Sequence, residues 1–158
     1  MTLRLIHAQE CAPQPWRNGG GQTRELLVWP PEGEWQLRIS RADIAADGPF
    51  SAFPGVQRWF VLLSGEGVVL DFDNHGLALR PGDTPLAFAG AAAPGCRLMG
   101  GPVRDLNLMC RGGSGGLAAV WPGAAWQPGP VAPHQRPASL AIRPPHCAGT
   151  AQPGRGFA

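Results

Sequence analysis

A chain of 158 residues with 44% hydrophobic content is long enough for one domain around one apolar core. A formal net charge of +2, with only 15% of residues charged, gives no sustained field of the kind that holds nucleic acid non-specifically. All 13 basic residues are Arg, with no Lys, and Tyr is absent, a pattern of GC-rich coding that discounts arginine composition as a functional signal.

The N-terminal stretch Met1 to Gln14 carries Arg4, His7 and Glu10 and lacks the continuous apolar region of a secretory signal. No run approaches the ~20 apolar residues of a membrane helix, so the chain reads as cytoplasmic, with neither a membrane nor nucleic acid as partner. Cys11, Cys96, Cys110 and Cys147 form no C-x-x-C pair and read as free thiols in a reducing compartment.

The densest polar segment follows, Trp16-Arg17-Asn18-Gly19-Gly20-Gly21-Gln22-Thr23-Arg24-Glu25. Three successive glycines free backbone N–H groups to approach a ligand. A phosphate loop of the G-x-x-x-x-G-K-[ST] type is nevertheless excluded, because there is no Lys and the next segment reads as a strand. A glycine-rich bulge or wide turn entering a barrel strand is the alternative.

From Arg24 to Cys110 short β-type runs alternate with turns, the spacing of an all-β sandwich or barrel. The predicted strands are Arg24–Trp29, Trp35–Arg41, Val56–Leu63, Gly67–Phe72, Leu77–Arg80, Thr84–Phe88, Cys96–Met99 and Val103–Cys110. Period-two alternation puts Trp35, Leu37 and Ile39 on one face and Gln36, Arg38 and Ser40 on the other. In the last strand Asp105, Asn107 and Met109 share a face, and two polar groups there need partners if they point inward. His75 falls in the turn Asp73-Asn74-His75-Gly76, and no Cys or Ser has a plausible His partner for nucleophilic catalysis.

After Arg111 the character changes. Gly112 to Ala158 contains eight Pro, nine Gly and no Asp or Glu, a composition that offsets little ordering entropy. We expect a domain over residues 1–111 and an irregular tail over 112–158, with His134, His146 and Cys147 as incidental tail residues.

Four segments in order carry a resemblance: Trp16 to Glu25, Phe50-Ser51-Ala52-Phe53-Pro54-Gly55-Val56-Gln57-Arg58, Leu62-Leu63-Ser64-Gly65-Glu66-Gly67, and Gly101-Pro102-Val103-Arg104-Asp105-Leu106-Asn107-Leu108-Met109. Together they resemble the HutD/Ves family of cupin proteins over about the first 111 residues. The resemblance implies a cupin-type β-barrel of bicupin kind and a role in histidine utilisation as a metabolite-binding regulator. Two departures are visible. Metal-dependent cupins place two His and a Glu around the first glycine turn, whereas Phe53 to Leu70 holds no His and, as carboxylate, only Glu66. We therefore expect neither metal nor cofactor. The second half of a bicupin is not legible in the tail, whose composition is that of a frameshifted or truncated reading frame.

The leading reading is a binding module for a small anionic metabolite, of the urocanate or formylglutamate class that the resemblance implies. Arg24, Arg38 or Arg58 forks onto a ligand carboxylate, because guanidinium matches it bidentately. Asn18, Gly19, Gly20, Thr23, Ser40 and Asn107 orient the ligand, and Trp16, Phe50 and Phe53 supply an apolar wall. The alternatives are a metal-independent enzyme using Glu25 or Asp105 as general base, and an interaction domain whose glycines and arginines serve packing or a homodimer interface.

Overall fold

The computed structural model describes residues 6–112, 115–119 and 138–142. Its strands are β1 (Pro13–Pro15), β2 (Gly21–Trp29), β3 (Leu37–Ile44), β4 (Gly48–Pro49), β5 (Val56–Ser64), β6 (Val68–Phe72), β7 (His75–Leu79), β8 (Leu86–Ala89), β9 (Gly95–Leu98), β10 (Val103–Arg111), β11 (Gly115–Ala119) and β12 (Ala138–Ile142). Two 3-10 turns, Ala8–Glu10 and Gly90–Ala92, complete the described elements. The eight predicted strands all appear, with ends displaced by a few residues. The fold is all-β and cupin-type.

Six strands form one antiparallel sheet in the order β1-β2-β3-β10-β5-β8, and four form another in the order β4-β9-β6-β7. One apolar cluster joins the two: Ile44, Phe60 and Leu62 from the first meet Val68, Leu70, Leu79 and Cys96 from the second. A separate cluster of Ile39, Leu106, Leu108 and Cys110 covers the outer face of the six-stranded sheet. β10, flanked by β3 and β5, therefore has neighbours on both faces, and every residue from Asp105 to Cys110 is buried.

Alternation in β3 holds, but which face lies inside is the reverse of the simplest guess. Leu37 and Ile39 join the outer cluster, while Arg38 and Ser40 face the interior between the sheets. In β2 a β-bulge between Glu25 and Leu27 inserts Leu26, so Glu25 pairs with Ser40 and Leu27 with Ile39. Both Leu26 and Leu27 pack on the outer cluster as a result.

Four strands were not predicted. β1 and β4 are Pro- or Gly-containing pieces of two or three residues at sheet edges, where a missing N–H is tolerated. β11 and β12 pair in parallel within the segment expected to be irregular. β11 lies over the outer face, where a Cβ on Gly115 would meet Cys110 Sγ at 3.1 Å and Leu108 Cδ2 at 3.2 Å. His134, His146 and Cys147 lie outside the described residues.

Candidate functional site

Three cross-strand rows on the inner face of β3, β10 and β5 build the floor of a cavity. From mouth to core they are Arg38–Met109–Arg58, Ser40–Asn107–Phe60 and Ala42–Asp105–Leu62. Polarity falls along the series until the interior becomes wholly apolar. Above the first two rows lies a cavity of about 490 Å³, within the range of small-molecule sites.

Arg58 is 4% exposed and sits among three rings, with its guanidinium carbon 4.9 Å from the centroid of Phe50, 5.1 Å from Phe88 and 5.9 Å from Phe53. Such faces hold a cation by their quadrupoles. Nη2 donates to Asn107 Oδ1 at 2.8 Å, whereas Nε and Nη1 are buried without a hydrogen-bond partner among the described residues. Burial pushes Arg58 down to about 10; the charge of Asp105 opposes this and that of Arg38 adds to it. It remains a cation at neutral pH with unused donors, which is costly unless an acceptor meets them.

Arg38 lies across Met109 from Arg58 and donates from Nε to Glu25 Oε1 at 2.8 Å. Glu25, the candidate base, is thereby tied to a cation, and Gln14 donates to its other oxygen at 3.4 Å. Asp105, the other candidate base, is 1% exposed and accepts from Asn107 Nδ2 at 2.8 Å, one row below the cavity. Burial pushes its carboxyl up to about 7, against the pull of Arg58 and of hydrogen bonds from Asn107 and the Ala42 backbone.

The glycine run proves to be a turn that lays an aromatic wall over the site. Gly19 adopts φ +71° and donates to Trp16 O, and Gly20 N–H donates to Asn18 Oδ1 at 3.0 Å. These two amides are thus committed within the turn. At Gly21 a Cβ would fall 2.5 Å from Asp43 O and 3.1 Å from the Trp16 ring. Only glycine lets the indole lie flat there, with its Nε1 donating to Thr23 Oγ1 at 2.8 Å.

Of the residues singled out from sequence, Asn18, Thr23, Arg38, Ser40, Arg58 and Asn107 line the cavity, together with Trp16, Phe50 and Phe53. Gly19 and Gly20 shape its rim without lining it. Arg24 lies elsewhere: it pairs with Arg41 on the opposite face of β2, and its Nη1 is held by Cys11 O. Thr23 and Arg24 are adjacent in a strand and cannot share a face. Missed from sequence were Gln14 and Pro15 of β1, Arg17, Ala42, Pro49, Ser51 and Met109. The shared face of Met109 and Asn107 was a usable signal for one of them, whereas the Pro-rich β1 gave none.

Among the described residues no group of three or more His, Cys, Asp or Glu is placed to hold a metal ion, and no helix is long and apolar enough to cross a membrane. Cys11, Cys96 and Cys110 are free thiols.

The family model described as HutD matches residues 8–120. An uncharacterised 21.2 kDa protein from the hutC 3' region of Pseudomonas putida is 41% identical over 110 residues, 68% of this chain and 57% of that protein. Protein Ves of Citrobacter koseri is 41% identical over 98 residues, 61% of this chain and 51% of that one. The solved structure of HutD from Pseudomonas fluorescens SBW25 superposes with a TM-score of 0.64 at 38% identity, covering 68% of this chain and 59% of that chain. A predicted oxalate decarboxylase of Thermotoga maritima shares the fold alone, with a TM-score of 0.55 at 16% identity, covering 68% of this chain and 99% of that one. The chain thus spans between half and three fifths of the length of these family relatives.

Proposed function

We propose that this chain, which belongs to the HutD family, is a cytoplasmic binding protein that takes a small anionic intermediate of histidine breakdown into its barrel and serves a regulatory role. The observation that carries this reading is Arg58, a buried cation lining the cavity within a ring of Phe50, Phe53 and Phe88, with Nε and Nη1 unpartnered among the described residues. A ligand carboxylate supplies the acceptors those N–H groups lack, and charge-assisted bonds of this kind are roughly twice as strong as neutral ones. Asn107 holds the guanidinium in place from below, and Arg38, Ser40 and Thr23 offer further polar contacts along one side.

The ligand class is supported by the family and by the name of the Pseudomonas putida relative, which ties that protein to a histidine-utilisation gene region. Urocanate and formylglutamate both carry a carboxylate for Arg58. Neither a membrane nor nucleic acid is invoked as partner, and a homodimer is compatible with the reading but not needed by it. Calorimetric titration with each compound tests the proposal: saturable binding near one equivalent supports it. Absence of heat and of thermal stabilisation with both compounds would overturn it.

A further inference from the structure

The inference below rests on the anion-binding reading of the cavity and concerns what must change beneath Arg58 when that site is filled. Asp105 occupies the row below Asn107, between Ala42 of β3 and Leu62 of β5, and is 1% exposed. Its Oδ1 accepts from Asn107 Nδ2 at 2.8 Å, and Asn107 Oδ1 in turn accepts from Arg58 Nη2 at 2.8 Å. One amide therefore links a carboxylate shielded from water to the guanidinium at the cavity floor. Ionised Asp105 and Arg58 form a neutral set across that amide. A ligand carboxylate on Arg58 adds a second negative charge to the same water-poor cluster, where little solvent is available to screen it.

We propose that the cavity takes up its anionic ligand together with one proton, and that the proton goes onto Asp105. The balance is simple: the ligand brings one negative charge to Arg58, Asp105 gains one proton from solvent, and the buried cluster is neutral before and after. A proton on Oδ2 leaves Oδ1 free to accept from Asn107, so the link to Arg58 survives. The groups facing Asp105 leave it as the one that titrates. From β5 Arg58 attracts its charge, from β3 the Ala42 amide donates to it while Asp43 repels it, and Asn107 on β10 donates. From β9 Cys96 is a thiol pushed up to about 12, chiefly by burial, and is neutral throughout the useful range. Burial already holds the Asp105 carboxyl near neutrality, so little work is needed to protonate it.

The test is calorimetry of the full chain with formylglutamate, whose carboxylates are fully ionised throughout, in buffers of unlike ionisation heat at about pH 6 and about pH 8. Proton uptake approaching one per ligand is expected at the higher pH, with affinity weakening by up to ~tenfold per pH unit above neutrality. Asp105→Asn should abolish the uptake and flatten the affinity with pH; if that variant fails to fold, the wild-type heats alone decide. Binding of equal strength at both pH values without uptake would overturn the coupling and leave the anion site standing. Uptake that persists in Asp105→Asn would also overturn it by placing the proton elsewhere. No binding at either pH would sink the anion-binding reading itself, and the coupling with it.

Discussion

The two ends of the barrel interior are built from the same strands and hold opposite chemistries. Toward the core, Phe60, Leu62, Val68 and Leu70 interlock with at most 3% exposure. Toward the mouth, the next positions on those strand faces are Arg58, Asn107, Ser40 and Arg38, around open space. The packed end supplies the folding free energy through buried apolar area. The open end consumes part of it, because Arg58 and Asp105 are desolvated and two N–H groups of Arg58 have no partner among the described residues. A chain that keeps so unfavourable a set gains something from it other than stability.

That division can be broken most forcefully from the packed end. Leu70→Ala should destabilise the fold by about 2–5 kcal/mol through lost transfer energy and a residual cavity, read by denaturant unfolding. Its ligand affinity, measured where the variant is still folded, should stay near that of wild type. A large loss of affinity would mean that the two ends are not separable.

At the open end the ranking inverts. Arg58→Lys keeps the charge but cannot reproduce two parallel N–H···O bonds, so affinity should fall by ~1.5–3 kcal/mol, roughly ten- to a hundredfold. Melting temperature should change much less. Unchanged affinity with a large drop in melting temperature would assign Arg58 to structure and remove it from the site.

Asp105 gives the comparison a pH signature. Burial raises its folded pKa to about 7, well above the ordinary carboxyl range, so the native state holds the proton more tightly than the unfolded one. Stability from this group is complete below the unfolded value and is lost as pH rises through the folded one, by about 1 kcal/mol per pH unit within that window. Thermal melts at about pH 5 and about pH 7 should show the loss, and Asp105→Asn should remove the slope. Trp16→Phe, which deletes the donor to Thr23 Oγ1 together with part of the ring that packs on the core, should cost at least the about 0.5–1.5 kcal/mol of one hydrogen bond. The smallest effect expected is none: chelator should leave the melting temperature unchanged, and elemental analysis should find no stoichiometric zinc, iron or nickel, since Phe53 to Leu70 holds no His and the described residues gather no group of three ligands. One metal per chain retained after chelation would contradict this.

Much of this division was legible in the sequence, for a physical reason. Side-chain period two is local, so the shared face of Asp105, Asn107 and Met109, or of Arg38 and Ser40, follows from counting. Which face points inward depends on what packs behind the sheet, and that is set by strands far away in the chain. Here the apolar face of β3 turns outward to meet Leu106 and Leu108, and the polar face turns in. Arg24 was misplaced for a different reason: it was grouped with its neighbours by polarity, although alternation separates it from Thr23. The edge strands β1 and β4 escaped because Pro and Gly carry turn signals at least as strong as those of a two- or three-residue strand.

The bulge in β2 gives this wall one residue that its pairing with β3 does not use. Because Leu26 is the extra residue, Thr23 and Glu25 share the inner face while Leu27 and Trp29 pair with Ile39 and Leu37 on the other side. Deleting that one leucine would restore plain alternation and leave the pairs on either side of it in place, Glu25 with Ser40 and Leu27 with Ile39. Leu27 would still face the leucine cluster, and Val28 would still pair with Arg38. The cost would be the contact of Leu26 with that cluster and the local kink of the strand. Loss of Leu26 should accordingly be tolerated better than loss of a second residue, which would shift one half of β2 by one place and turn its side chains to the other face.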